Sequence, residues 1–176
     1  MCHKSVLDFV KENISKDEMA GKIVLEVGSK NINGSSRDVL DYVPRKYIGI
    51  DILDGKGVDR VLDAKDILDH FPENYFDLII CTETLEHVDN WKLVVTNLKK
   101  ACKKGGSILM TTRSKGFPKH EYPHDYWRFE LEDFKKIFSD FRIHKLESDH
   151  PPGVLLKAVK PGNFKINSLD LEVFSI

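Results

Sequence analysis

Two kinds of hydrophobic spacing alternate along the chain. Val6, Phe9, Val10 and Ile14 recur every three or four residues, the stripe of a helix over Val6–Ile14. Ser15 and Glu18 have the spacing of a capping box, predicting a short turn before the next element. Ile23–Val27 is a β-branched apolar run between Gly21 and Gly28, predicted as a buried strand. Ser35 or Ser36 predicts the cap of a helix through Tyr42, which Pro44 ends. Strands are expected at Lys46–Ile52 and Val58–Leu62, a brief helix or turn at Asp63–Phe71, and a continuous apolar strand at Phe76–Cys81. Asn90–Lys103 has helical spacing, with Trp91, Val94, Val95, Leu98 and Cys102 on the inner face. Gly105-Gly106 predicts its stop, and Ser107–Thr112 the next strand.

The stretch from Arg113 to Phe129 is irregular and rich in His, Pro and aromatics. A helix is expected at Glu130–Phe138, then strands at Phe141–Leu146 and Val154–Val159 that pair antiparallel at the sheet edge. Pro161–Ile176 has no clear pattern. Strands alternating with helices predict a three-layer, doubly wound α/β fold. Its sheet is expected to be Rossmann-like, seven-stranded and mainly parallel, with an antiparallel edge strand. Without a composition shift or repeat, residues 1–176 are taken as one domain with a core at about 20–160.

Composition narrows the partners. A net charge of −1 gives no global field to draw in nucleic acid or an anionic membrane. Lys99-Lys100 and Lys103-Lys104 form the one basic cluster, near a predicted helix end where cations complement the dipole. Cys2, Cys81 and Cys102 lack metal-site spacing, so free thiols and a cytoplasmic location are expected. The N-terminus shows no secretory run, and no apolar stretch approaches bilayer length.

The candidate chemistry lies at two strand ends. Ile23–Val27 runs through Glu26 into Gly28, and Tyr47-Ile48-Gly49-Ile50 ends on Asp51. In a parallel sheet such ends meet at the ligand crevice, where a carboxylate can accept from a ribose diol. A dinucleotide site wants Gly-x-Gly-x-x-Gly after the first strand. The turn here, Gly28-Ser29-Lys30-Asn31-Ile32-Asn33-Gly34, keeps only its first and last glycines, so a pyrophosphate cradle is poorly supported.

With Asp63-Ala64-Lys65-Asp66 and the run Phe76–Val88 ending in Leu85-Glu86-His87, these segments resemble the class I S-adenosylmethionine-dependent methyltransferases of the methyltransferase 11 kind. His124-Asp125-Tyr126-Trp127-Arg128-Phe129 is similar to a run in some members. The resemblance covers roughly 20–160 and departs where Lys30 replaces the family's usual second glycine. It implies S-adenosyl-L-methionine as cofactor, with Glu26, Gly28 and Ser29 bordering the methionine portion. Asp51 would bind the ribose, Ile52 would pack on the adenine, and Asp63 and Ala64 would meet its edge. Thr82 and Glu83 would line the floor beneath the sulfonium.

Each role has a plainer alternative. Asp51 and Asp63 also suit turn or helix caps. His87 and His124 are candidate bases for a hydroxyl acceptor, since imidazole titrates near neutrality. His87 could instead orient a helix start or bind a backbone group. Tyr122, Tyr126 and Trp127 suit an acceptor pocket or packing anchors, and Arg128 an anionic acceptor or an internal acid. His120 and His124 lack a third ligand at a convincing spacing, and Pro123 opposes a helix between them, so no metal is expected. The acceptor is expected to be a small molecule or glycan-type precursor, with no nucleic acid and no membrane, on a monomer or homodimer. A non-catalytic cofactor-binding module and a nicotinamide-dependent oxidoreductase are the alternatives.

Overall fold

In the computed structural model, residues 3–120 and 123–176 are described. A seven-stranded sheet has the order β3-β2-β1-β4-β5-β8-β7. Its strands are β1 (Ile23–Val27), β2 (Lys46–Asp51), β3 (Arg60–Val61), β4 (Phe76–Thr82), β5 (Cys102–Arg113), β7 (Arg142–Asp149) and β8 (Gly153–Val159). Strands β3 to β5 pair parallel in that order, and β8 is antiparallel to both β5 and β7. The expected antiparallel pair therefore closes one edge, and β1 and β4 sit centrally.

Strand parity sorts the core into two layers. Leu25, Val27, Ile79, Cys81, Ile108 and Met110 face a cluster with α4 (Ile67–His70), α5 (Trp91–Ala101) and α6 (Leu131–Ile137). Val24, Leu78, Ile80 and Leu109 face α1 (Lys4–Asn13) and α2 (Lys16–Met19). Because both faces are covered, the central strands are apolar on consecutive residues. The predicted helix from Ser35 shrinks to the single turn α3 (Ser36–Val39), capped by the Ser35 hydroxyl accepting from Arg37 N.

The structure moves three boundaries. Helix α5 ends at Ala101, and β5 already begins at Cys102. Gly105-Gly106 is thus an irregularity within a strand: Gly105 has φ +79°, and a Cβ on Gly106 would meet the Asp77 carbonyl at 2.7 Å. The third strand keeps only two residues. The patternless tail supplies β9 (Phe174–Ser175), which pairs with β6 (Trp127–Arg128) as a second small sheet. The lysine cluster is partly internal: Lys99 is buried with its ammonium 2.7 Å from Asp140, and Lys103 binds Asp77 at 2.9 Å.

Glu18 ties the α2 turn to the sheet. Its carboxylate caps Ser15 N at 3.1 Å and accepts from Ser107 Oγ at 2.8 Å and Lys157 Nζ at 2.7 Å. Burial opposes its charge, yet the donors, Lys157 foremost, hold its carboxyl below the ordinary 4.5. A depressed acid stabilises the fold above its unfolded pKa, and this contribution fades as pH falls through the folded value. Glu18→Gln should therefore lower the Tm at pH 7 and cost progressively less in melts below pH 4.5. An equal loss at pH 7 and pH 3 would show that the carboxylate charge is not what matters.

Candidate active site

The ends of β1, β2 and β4 open into one cleft. Its wall includes Gly28, Lys30, Asp51, Ile52, Asp63, Ala64, Glu83, Thr84 and His87, around about 740 Å³ of space that includes the open mouth. Gly28 has φ +72°, and a Cβ there would lie 2.0 Å from Thr84 Oγ1. Only glycine combines that backbone with so close an approach. The turn is locked to β2, since Gly28 N and Ser29 N both donate to the Ile50 carbonyl at 2.9 and 3.0 Å.

Asp51 ends β2 facing the same space. Lys30 N donates to Oδ2 at 3.1 Å and Leu53 N to Oδ1 at 2.9 Å. One donor per oxygen fixes the carboxylate and leaves further lone pairs for ligand hydroxyls. Lys30, the departure in the glycine turn, lays its stem along Gly55, where a Cβ would meet Lys30 Cε at 2.9 Å. The lysine therefore rests on a neighbouring glycine while its backbone supports Asp51.

The opposite rim is apolar. Ile32, Ile52 and Leu53 line the cleft and stay 41–50% exposed, which suits the faces of a planar ring. Ala64 lies beside them. Asp63 reaches the cleft and also caps the one-turn 3-10 helix Ala64–Asp66, accepting from Lys65 N at 2.9 Å. The capping alternative is thus realised alongside a position on the wall.

Other predicted residues turn elsewhere. Glu26 is buried on the opposite face of β1 from Val27, where Tyr47 OH donates to its Oε2 at 2.9 Å. Burial raises its carboxyl, partly offset by that hydrogen bond. Ser29 packs its hydroxyl toward Gly49. Thr82 is buried below the wall, and its carbonyl accepts from Thr84 Oγ1 at 2.9 Å. Glu83 lines the cleft at φ +46°, a backbone region that costs a non-glycine residue energy and clusters at functional sites. Its carboxylate is held by Arg113 and by His3, whose N and Nδ1 lie at 2.8 and 2.7 Å.

Of the two candidate bases, His87 is on the wall and His124 is exposed away from it. His87 realises the backbone-binding alternative, its Nδ1 donating to the His124 carbonyl. That bond fixes the tautomer and leaves the Nε2 lone pair of His87 for other work. Tyr122 lies outside the described residues. Tyr126, Trp127 and Arg128 do not line the cleft. Trp127 Nε1 donates to the Val88 carbonyl at 2.8 Å, and Arg128 forks onto Asp125 at 2.6 and 2.7 Å. The guanidinium is buried and also serves the Phe117 and Pro118 carbonyls, so an internal acid takes the place of an anionic acceptor. Thr84, Ile32, Leu53, Val88 and Pro123 are wall residues the sequence reading missed. Thr84 had a signal in its place just beyond a strand end; Pro123 had none.

Cys81 and Cys102 are free, buried thiols, each pushed up to about 12 by burial, so neither is a thiolate nucleophile at neutral pH. Cys2 lies outside the described residues. No helix among the described residues is long and apolar enough to cross a membrane.

A family model described as a methyltransferase domain matches residues 3–149. The chain belongs to this methyltransferase family. Its fold is the class I α/β arrangement that the family resemblance implied. Among curated relatives, the ubiquinone biosynthesis O-methyltransferase of Dechloromonas aromatica is 29% identical over 119 residues, 60% of this chain and 49% of that protein. The phosphoethanolamine N-methyltransferase 2 of Caenorhabditis elegans is 25% identical over 57% of this chain and 26% of that protein. The chain therefore spans between a quarter and half of these two relatives. Among solved structures, the 1,6-didemethyltoxoflavin-N1-methyltransferase of Burkholderia thailandensis, with bound 1,6-didemethyltoxoflavin and S-adenosylhomocysteine, aligns with a TM-score of 0.71. It is 11% identical, and the alignment covers 90% of this chain and 79% of that one, so it speaks for the fold.

Proposed function

We propose that this methyltransferase domain binds S-adenosyl-L-methionine in the cleft at Asp51 and passes its methyl group to a small-molecule or glycan-type acceptor. The wall itself carries the reading. Asp51 and Asp63 outnumber the single Lys30, Glu83 being paired with Arg113 and His3, and three exposed aliphatic side chains stand opposite. Such acceptors beside an apolar rim fit a ligand with a ribose diol, an adenine and a cationic sulfonium. It disfavours a pyrophosphate, which wants a helix N-terminus, whereas α3 after the glycine turn is one turn long.

Asp51 would take the ribose hydroxyls, Ile52, Leu53 and Ala64 the adenine, and the Gly28–Lys30 turn the methionine end. The cofactor supplies an already activated methyl group. The protein's own part is to orient the acceptor, exclude water and remove a proton where a hydroxyl is methylated. His87 is the wall residue with a lone pair suited to that last task. The near-neutral net charge supports the small-molecule class over nucleic acid.

S-adenosylhomocysteine at a hundredfold over its dissociation constant should add about 2.7 kcal/mol of stability, raising the Tm by roughly 5–10 °C. NAD and NADP should leave the melt unchanged, and stabilisation by NAD alone would overturn the cofactor. Labelled methyl from S-adenosylmethionine should appear in the small-molecule fraction of a cell extract. Label confined to RNA, DNA or protein would overturn the acceptor class. Binding without any transfer would identify a non-catalytic module.

A further inference from the structure

We propose a binding site for a first-row transition-metal dication, of the Zn2+ type, formed by Glu86, His87 and His120 where His87 meets the cleft wall. One carboxylate oxygen of Glu86 and one nitrogen each of His87 and His120 all lie within 4.8 Å of one another. The sequence reading paired His120 with His124 and found no third ligand. The fold instead brings the loop after β5 back over the turn after β4, so His120 meets the Glu86-His87 pair.

The carboxylate is the first reason to read the cluster as a ligand set. Glu86 is fully buried, and its Oε2 accepts from Thr112 Oγ1 at 2.8 Å. Its Oε1 is buried with no hydrogen-bond partner. An uncompensated buried carboxylate oxygen is costly, and a cation removes that cost.

The second reason is how the imidazoles are held. Histidines that ligate metals usually give their other nitrogen to a carbonyl or carboxylate, which sets the tautomer and the ring. His87 Nδ1 donates to the His124 carbonyl. His120 Nδ1 lies 3.0 Å from Asp125 Oδ2, and Asp125 is itself fixed by the Arg128 fork. His87 thus has an outer partner of the kind metal sites use and keeps Nε2, while His120 Nδ1 is buried beside the Asp125 carboxylate without a hydrogen bond in place. The two rings stand edge to face with centroids 4.8 Å apart.

Two imidazoles and one carboxylate suit Zn2+, Fe2+, Mn2+ or Co2+ and leave coordination positions open, whereas Mg2+ prefers oxygen ligands. Ligand bonds of about 2.1 Å require the donors to draw together by roughly an ångström. His120, on the loop between β5 and β6, is the member placed to move. The metal site stands on this geometry alone. Its use, holding and acidifying an oxygen of the acceptor, rests on the methyl-transfer reading and would replace His87 as a base.

The test uses Co2+ and Zn2+ with the chelator-stripped full chain. One equivalent of Co2+ should bind with a visible d–d absorption band, and Zn2+ should displace it. Glu86→Gln and His120→Asn should each weaken binding tenfold or more, while the His120 variant keeps the wild-type Tm in chelator. Lack of stoichiometric binding, or affinities unchanged in both variants, would overturn the site and leave a buried acid packed beside two histidines. S-adenosylhomocysteine binding, measured separately on the stripped protein, reports on the cofactor reading, so either can fail without the other.

Discussion

Asp51→Ala should lower affinity for S-adenosylhomocysteine by about a hundredfold or more. A carboxylate that accepts two ligand hydroxyls makes two charge-assisted hydrogen bonds, each worth roughly 1.5–3 kcal/mol. Losing both removes about 3 kcal/mol or more, and 1.4 kcal/mol is a factor of ten. The fold should survive, because Asp51 ends β2 half-exposed and its two backbone donors, Lys30 N and Leu53 N, lie where water can reach them. Loosening of the 53–57 loop adds to the loss, so Asp51→Asn, which keeps one acceptor oxygen, should fall between. Calorimetric titration of both variants beside their melting curves measures this. An unchanged dissociation constant for the alanine variant would remove Asp51 from the cofactor and the proposed ligand with it.

That result would confirm the part of the site that was most legible in the sequence. Gly28 and Asp51 could be placed because parallel strands bring their C-terminal ends together, a rule that needs only strand order. Side-chain direction was legible too. Successive residues of a strand face opposite sides, so Val27 on the cleft side puts Glu26 on the other. The acid in the first motif accordingly serves Tyr47. Parity also explains why Leu25 and Val24 fall in different core layers.

The loop from 114 to 126 was the illegible part. Nothing periodic marks it, and its contacts join residues far apart in the chain. His87 meets the His124 carbonyl, Tyr126 N reaches the Glu86 carbonyl at 2.8 Å, and β9 in the patternless tail pairs with β6. Composition flagged this stretch as rich in His, Pro and aromatics without saying which side chains face the cleft. Among the described residues of the stretch, the wall receives Pro123 alone. The two helix-like signals that shortened, at Ser36 and at Ala101, failed for a related reason. Short helices take their stability from tertiary packing, so spacing alone overstates their length.

Arg128→Met, at the strand that follows that loop, should be the most destabilising single change to its anchoring, at about 3–5 kcal/mol. The guanidinium forks onto both oxygens of Asp125, at 2.6 and 2.7 Å, with both side chains almost wholly buried. Removing it strands a carboxylate away from water, along with the Phe117 and Pro118 carbonyls it also serves. Such uncompensated charge costs more than the intact pair contributes, so the double change Arg128→Met with Asp125→Asn should recover a good part of the loss. For a chain of this length the single variant should melt roughly 10 °C lower. The damage should be local at first, because Asp125 also accepts from His120 N at 2.8 Å and anchors the loop that steadies His87. Hydrogen exchange should therefore show lost protection at His120 and Tyr126 well below the melt. S-adenosylhomocysteine affinity should stay within a few-fold, since Asp51, Ile52 and Asp63 lie on other elements. A variant that melts within 2 °C of the wild type would show that water reaches Asp125, and that the loop is held by Trp127 and β6 instead.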